Sequence, residues 1–366
     1  MQDAKCRFLV RAIRAEIANG KYSEGRALPS LRALSKRFDC SVSTVQRALD
    51  ELFHCGIVSR RQGSGTFVTC RASSRKIGLI VPGVARSEFF PPIVSEISRL
   101  VRLRGQFLVY GDVCVEDRKP RERELKNVVD EFLSAGVDGV VFQPFDDEYM
   151  ALSRKIVQRF RERSVPVVLL NRDVETFPRR SAFDCVGIDN LAAGYEVGLH
   201  LKEVNAKRIA FVSRPEIGSV RDRLRGLELC AKERGLVVRD FDFDERDVKS
   251  LKKCLSSFRP RAIVCGNDET AVRISQGLGK LNVAVPEAVM LVGFDDVRYA
   301  TAMTPQLTTI RQPCAEIAAA AIDRLAVRMA HPDLAPVDLK LPAKLVIRES
   351  TGRCRNRNIP KKGKQR

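Results

Sequence analysis

A chain of 366 residues, 44% hydrophobic and 30% charged, has room for two or three compact domains. No apolar run approaches the ~18 residues that span a bilayer, and the charged first ten residues lack the apolar core of a secretory leader. The sequence therefore places the protein in the cytoplasm, with no membrane partner. Eleven scattered cysteines without a CxxC pair, beside only three histidines, exclude a disulfide framework and a structural zinc site. Neither a metal nor a cofactor is expected.

The net charge of +19 is unevenly spread. Residues 1–75 hold 14 Lys/Arg against 6 Asp/Glu, and residues 353–366 hold 7 basic residues and no acid, so the long middle keeps a net charge of only +4. A basic head on a nearly balanced body points to a polyanion partner at that end.

Phe8, Leu9, Ala12, Ile13 and Ile17 form one apolar face of a first helix, which Asn19-Gly20 ends. Ser30 is placed to cap a second helix with the stripe Leu31, Leu34 and Phe38. Ser41 can cap a third, whose apolar face is Val42, Val45, Leu49 and Leu52, and which Gly56 stops. Ile57-Val58 and Thr66-Phe67-Val68 flank Gly63-Ser64-Gly65 as two short strands around a tight tip. Three short helices and a β-wing describe a winged helix-turn-helix. Ser43, Thr44, Gln46 and Arg47 then occupy the free face of the third helix, where they could reach base edges and phosphates in a major groove. Arg60 and Arg61 flank the wing tip, whose glycines let the backbone approach a phosphate. The tip is no phosphate-cradling loop, because no Gly-Lys-Ser/Thr follows and no strand–helix unit surrounds it.

Leu28-Pro29-Ser30-x-Arg32-x-Leu34, Ser41-x-x-Thr44-Val45-x-Arg47-Ala48-Leu49-x-x-Leu52 and Arg61-Gln62-Gly63-Ser64-Gly65-Thr66-Phe67-Val68 closely resemble the DNA-binding domain of the GntR family of bacterial regulators. The resemblance implies that Arg32, the start of the third helix at Ser41 and the wing glycines Gly63 and Gly65 contact double-stranded operator DNA. Val42 and Gln46 stand where that family often has arginine.

A polar linker over 70–76 leads to a body over 77–352. Strands are expected at Lys76–Val81, Phe107–Tyr110, Gly139–Phe142 and Val165–Leu170, with helices between them. The order recurs at Arg208–Val212, Leu236–Val238, Ala262–Cys265 and Val289–Val292. Alternating strands and helices imply parallel sheets, and two copies imply two lobes with a cleft beyond the strands' carboxyl ends. Asn171, Arg172, Asn267, Asp268, Asp295 and Asp296 fall at those ends, with Phe89, Phe90, Phe145 and Tyr299 as candidate apolar faces. Carboxylates, amides and a guanidinium suit a polyhydroxylated ligand. Asp295-Asp296 could mimic a catalytic pair, yet no Ser/His/Asp constellation supports an enzyme, and His200 reads as a partly exposed helix residue.

The segments Ile77-Gly78-Leu79-Ile80-Val81-Pro82 with Phe89-Phe90, Val165 through Arg172, Arg223-Leu224-x-Gly226, Asn267-Asp268, Gly293-Phe294-Asp295-Asp296 and Leu307 through Pro313 resemble the effector domain of LacI/GalR regulators, itself similar to periplasmic sugar-binding proteins. The resemblance implies that Phe89, Phe90, Asn171, Arg223, Asn267 and Asp295 line an effector cleft. Arg223 and Asp295 are both expected to follow strands of the second lobe and face that cleft. A GntR-type head in place of that family's own is an arrangement like the arabinose-repressor type. The expectation is an α/β chain: a winged helix-turn-helix over 1–69, a linker, a two-lobed effector and dimerisation domain, and a disordered basic tail over 353–366. It would act as a dimeric repressor responding to a small carbohydrate. The alternative is a DNA-binding protein whose cleft is vestigial or serves a protein partner.

Overall fold

The computed structural model describes residues 2–18, 21–54, 57–61, 65–69, 75–81, 83–84, 87–111, 115–116, 119–120, 122–145, 149–176, 178–213, 218–242 and 248–352. Gly56, the wing tip at Gly63, most of the linker and the basic tail lie outside them.

The head is α1 (Gln2–Ala18), α2 (Leu31–Arg37), α3 (Val42–His54), β1 (Val58–Arg61) and β2 (Gly65–Val68). Leu9, Ile13 and Ile17 of α1 meet Leu34 of α2 and Val45, Leu49 and Leu52 of α3 in one core, closed by Val58 and Val68. The strands are antiparallel, with Val58 opposite Val68 and Arg61 opposite Gly65. The Ser30 hydroxyl accepts from the Ala33 N–H at 3.3 Å, the cap its sequence position suggests. Two expected core residues are outside: Phe8 is 62% exposed and Val42 44%. Phe8 falls on the side of α1 opposite Ile13 and Ile17, and Val42 sits in the first turn, ahead of the packed part of α3.

The body begins with β3 (Lys76–Ile80), α4 (Phe90–Leu103), β4 (Phe107–Gly111), the short pair β5 (Val115–Glu116) and β6 (Lys119–Pro120), α5 (Glu122–Ala135), β7 (Gly139–Phe142), α6 (Met150–Glu162), β8 (Val167–Leu170) and β9 (Asp184–Ile188). It continues through α7 (Asn190–Glu203), β10 (Arg208–Ser213), α8 (Gly218–Arg234), β11 (Val237–Asp242), α9 (Val248–Phe258), β12 (Ala262–Cys265), α10 (Asp268–Lys280), β13 (Met290–Asp295), α11 (Arg298–Ala302) and β14 (Thr308–Arg311). It ends with α12 (Cys314–Ala330), β15 (Asp338–Leu341) and β16 (Lys344–Val346).

Two six-stranded sheets result, ordered β15-β9-β8-β7-β3-β4 and β11-β10-β12-β13-β14-β16. All pairings are parallel except that of β14 with β16. The central strands β7, β8 and β12 are buried at every residue, as helices on both faces require. The chain passes between lobes three times: from β9 into α7, from β14 back into α12, and from β15 into β16. The sequence did not foretell these returns. Asp-Cys-Val-Gly-Ile of β9 lacks an unbroken apolar run, and Asp-Leu-Lys-Leu of β15 is only four residues of alternation, so neither marks a strand by pattern alone.

An ion network fixes the returning α12. The Asp184 carboxylate, fully buried at the start of β9, accepts from Arg328 at 2.9 Å, Arg324 at 3.1 Å and the Val337 N–H at 2.7 Å. Burial pushes this carboxyl up, but Arg328, the Val337 N–H and Arg324 outweigh it and hold it below the ordinary value. His200, expected at the surface, is buried with Nε2 2.8 Å from the Thr351 hydroxyl, and burial lowers its pKa. Burial also pushes the Cys185 thiol up to about 12 and the Cys254 thiol to about 11, so both stay protonated and unreactive. Among the described residues no helix is long and apolar enough to cross a membrane.

Candidate functional site

On the head, Arg32, Ser41, Ser43, Arg47, Arg61 and Gly65 are exposed and Gln46 is half-buried. Thr44 is a correction: it is only 6% exposed, and its hydroxyl lies 2.7 Å from that of Ser41. Thr44 shares the inner face of α3 with Ala48 one turn later, so it serves the start of the helix rather than its free face. Arg61 lies over the Phe67 ring at 4.8 Å and Arg60 over Phe53 at 5.4 Å, so both wing guanidiniums stack on aromatic rings.

In the body, the strand ends of the two lobes face each other. Glu88, next to Phe89, pairs at 2.9 Å with Arg298, three residues past Asp295. Phe89 and Phe90 meet edge to face with centroids 5.1 Å apart, at the entry to α4. Asn171 turns off the end of β8 with a left-handed φ of 60°. Its Nδ2 donates to Gln143 Oε1 at 2.7 Å, while its Oδ1 is buried without a hydrogen-bond partner among the described residues. Gly187 admits that turn: a Cβ there would lie 2.8 Å from the Asn171 Cα. Arg172 follows, half-buried.

Arg223 does not follow a strand: it lies in the second turn of α8. Glycines bring it to the site, because α7 and α8 touch through their backbones. A Cβ on Gly194 would lie 1.9 Å from the Arg223 carbonyl oxygen, and one on Gly226 equally close to that of Leu191. The buried guanidinium donates from Nε to Asn190 at 2.9 Å, from Nη1 to the Gly266 carbonyl at 2.6 Å and from Nη2 to Asp295 at 3.4 Å. It also lies over the Phe294 ring at 4.6 Å. Asp295, at the end of β13 with φ 113°, accepts in addition from Gln312 at 2.6 Å. That φ is strained for a residue with a Cβ, a cost found where neighbours over-determine the geometry.

Asn267 caps α10 by accepting from the Thr270 N–H at 2.8 Å. Asp268 is fully buried behind it and accepts from Thr309 at 2.6 Å and the Val297 N–H at 3.0 Å. Burial pushes the Asp268 carboxyl well up, and Asp295 adds to the rise. Burial raises Asp295 too, while Arg223 and Gln312 pull it back.

Thus Arg223 and Asp295 meet in one cluster of the second lobe. Asn171 and the phenylalanine pair lie on the first. Phe145 is not among them: it is 4% exposed in the core of the first lobe, 6.0 Å from the Phe142 ring. Asn190 and Gln312 hold the pair but are not among the site residues expected from the sequence. Both sit in segments that pass between lobes, and only the topology reveals that.

A winged helix-turn-helix head joined to a two-lobed body with a polar cluster between facing strand ends defines a class, the ligand-responsive transcriptional regulators. The comparisons make it specific: residues 6–68 match the bacterial regulatory proteins of the gntR family, and residues 199–351 match the periplasmic binding protein-like domain. The chain is a transcriptional regulator joining these two domains. It is 26% identical over 362 residues to the arabinose metabolism transcriptional repressor of Geobacillus stearothermophilus, covering 94% of this chain and 96% of that one. It is 29% identical over 283 residues to the ribose operon repressor of Escherichia coli, covering 75% and 81%. A crystal structure of a LacI family transcriptional regulator from Enterococcus faecium with bound ribose shares the fold with a TM-score of 0.62 at 21% identity, covering 75% of this chain and 98% of that one.

Proposed function

We propose that the chain is a cytoplasmic, homodimeric repressor whose affinity for operator DNA is set by a sugar bound between the two lobes. The observation that carries this reading is the Arg223–Asp295 pair, buried where the lobes face each other and held by Asn190 and Gln312 from two of the passages between them. Any change in lobe angle moves those segments, so ligand contacts and lobe geometry are linked. The names of the relatives support a sugar: arabinose, ribose, and ribose bound in a neighbouring structure.

In this reading Phe89 and Phe90 cover an apolar sugar face. Asn171, with its unsatisfied buried acceptor, Arg172, Arg223, Asn267 and Asp295 bind hydroxyls. On the DNA side Ser43, Gln46 and Arg47 of α3 enter the major groove. Arg32, Ser41 and Arg61 hold phosphates, and Gly63 and Gly65 let the wing backbone come close. Thr44 and Ser41 fix the start of α3. A dimer reads two half-sites about 34 Å apart, so a modest rotation of the bodies suffices to lose one.

Thermal unfolding of the full chain against a panel of pentoses and hexoses tests the sugar site. A sugar at 100 times its dissociation constant adds about 2.7 kcal/mol of stability. A panel in which no sugar stabilises the protein would remove this reading.

A further inference from the structure

Asp50 lies one turn beyond Gln46 on α3. Its Oδ1 accepts from Gln46 Nε2 at 3.1 Å and from the Arg60 guanidinium of the wing strand β1. Arg60 also covers the ring of Phe53, which lies three residues past Asp50. One half-exposed carboxylate thus ties the DNA-facing helix to the wing. Its charge is the wrong sign for a surface that meets phosphates. It is one of only 6 acids in the first 75 residues, against 14 bases. General attraction to DNA therefore does not account for it.

The geometry supplies another use. A glutamine reads adenine with its carbonyl oxygen and one N–H together. Engaging one Nε2 hydrogen with Asp50 fixes which way the amide points and leaves Oε1 and the other hydrogen for a base. The same carboxylate neutralises Arg60, which would otherwise seek any phosphate within reach. We propose that Asp50 is a positioning residue for sequence reading: it orients Gln46 and restrains Arg60, raising discrimination at the expense of non-specific affinity. The inference rests on the proposed reading of α3 as the DNA-reading helix.

It makes two effects of opposite sign. Without the carboxylate, Gln46 must be ordered on binding and discrimination falls. Arg60 is meanwhile released to the backbone and binding to arbitrary DNA rises. Damage to the fold would weaken both.

The experiment uses the full chain. Wild type first selects a duplex from a randomised pool. Wild type, Asp50→Ala, Asp50→Asn, Gln46→Ala and Gln46→Ala/Asp50→Ala are then titrated against that duplex and against randomised duplex over a salt series. The ratio of the two affinities should fall about tenfold in Asp50→Ala, within the range of one bidentate base contact. Its affinity for randomised duplex should rise, with a log–log salt slope steeper by about 0.9, one added phosphate contact. The double variant should discriminate no worse than Gln46→Ala. Asp50→Asn keeps an acceptor for Gln46 but not the ion pair, so it should keep most of the discrimination and show the steeper slope. An unchanged ratio, or equal weakening on both duplexes, overturns the proposal. If wild type enriches no sequence, the DNA-reading role of α3 fails with it.

Discussion

At the scale of single residues, Asp295 shows how the cluster is built and how it should fail. Its Oδ1 is shared by Arg223 and Gln312, and its neighbour Asp268 is a second buried carboxyl. Charge-assisted hydrogen bonds in such a place are worth about 1.5–3 kcal/mol each. Asp295→Asn keeps the shape and loses the charge. It should raise the sugar concentration at mid-response about ten- to hundredfold while leaving sugar-free operator affinity near wild type, since the head shares none of these contacts. Titration calorimetry with the sugar found by thermal unfolding, beside operator anisotropy, checks both halves. An unchanged sugar affinity would place the site elsewhere. Much at this scale was legible. Strand-end polarity picks out Asn171, Asn267 and Asp295, because loop residues after parallel strands converge on one side. Arg223 came only by resemblance, since its distance from any strand hides it. Thr44 was misplaced because α3 packs a wider face than its apolar residues mark.

Among the elements, α12 is the one that must be tied down, because it leaves the second lobe to pack on the first. Asp184 does this with two arginines and a backbone N–H. Removing one partner of a buried ion pair leaves the others uncompensated and costs about 3–5 kcal/mol. Asp184→Asn should therefore destabilise the body by that order at pH 7. The native pKa lies below the unfolded value of about 3.9, so the stabilisation is complete above that value and is lost as pH falls through the native pKa. The gap between wild type and variant should narrow in urea titrations below pH about 4, and a gap independent of pH would show that the charge is not the cause. The elements themselves divide by legibility. Unbroken apolar runs such as that of β8 announce themselves, and so do the capped head helices α2 and α3. The strands β9 and β15 do not: Asp184 and Gly187 interrupt the apolar residues of β9, and β15 is a half-exposed stretch of only four residues, Asp-Leu-Lys-Leu.

The whole molecule separates two tasks. The head has its own hydrophobic core and much of the positive charge. The body has a polar cluster wired into the passages between lobes. In the proposed mechanism these three passages serve as the hinge, and a ligand that prefers one lobe angle shifts the body between two arrangements. Coupling to DNA then needs only that the two arrangements set the paired heads at different spacings. The most direct measurement is fluorescence anisotropy of the selected operator duplex bound to the full chain, with the stabilising sugar titrated in at fixed salt. Operator affinity should change at least about fivefold, the lower end of ordinary allosteric coupling, with a midpoint that tracks the sugar's own dissociation constant. Identical operator affinity with and without saturating sugar would contradict the account.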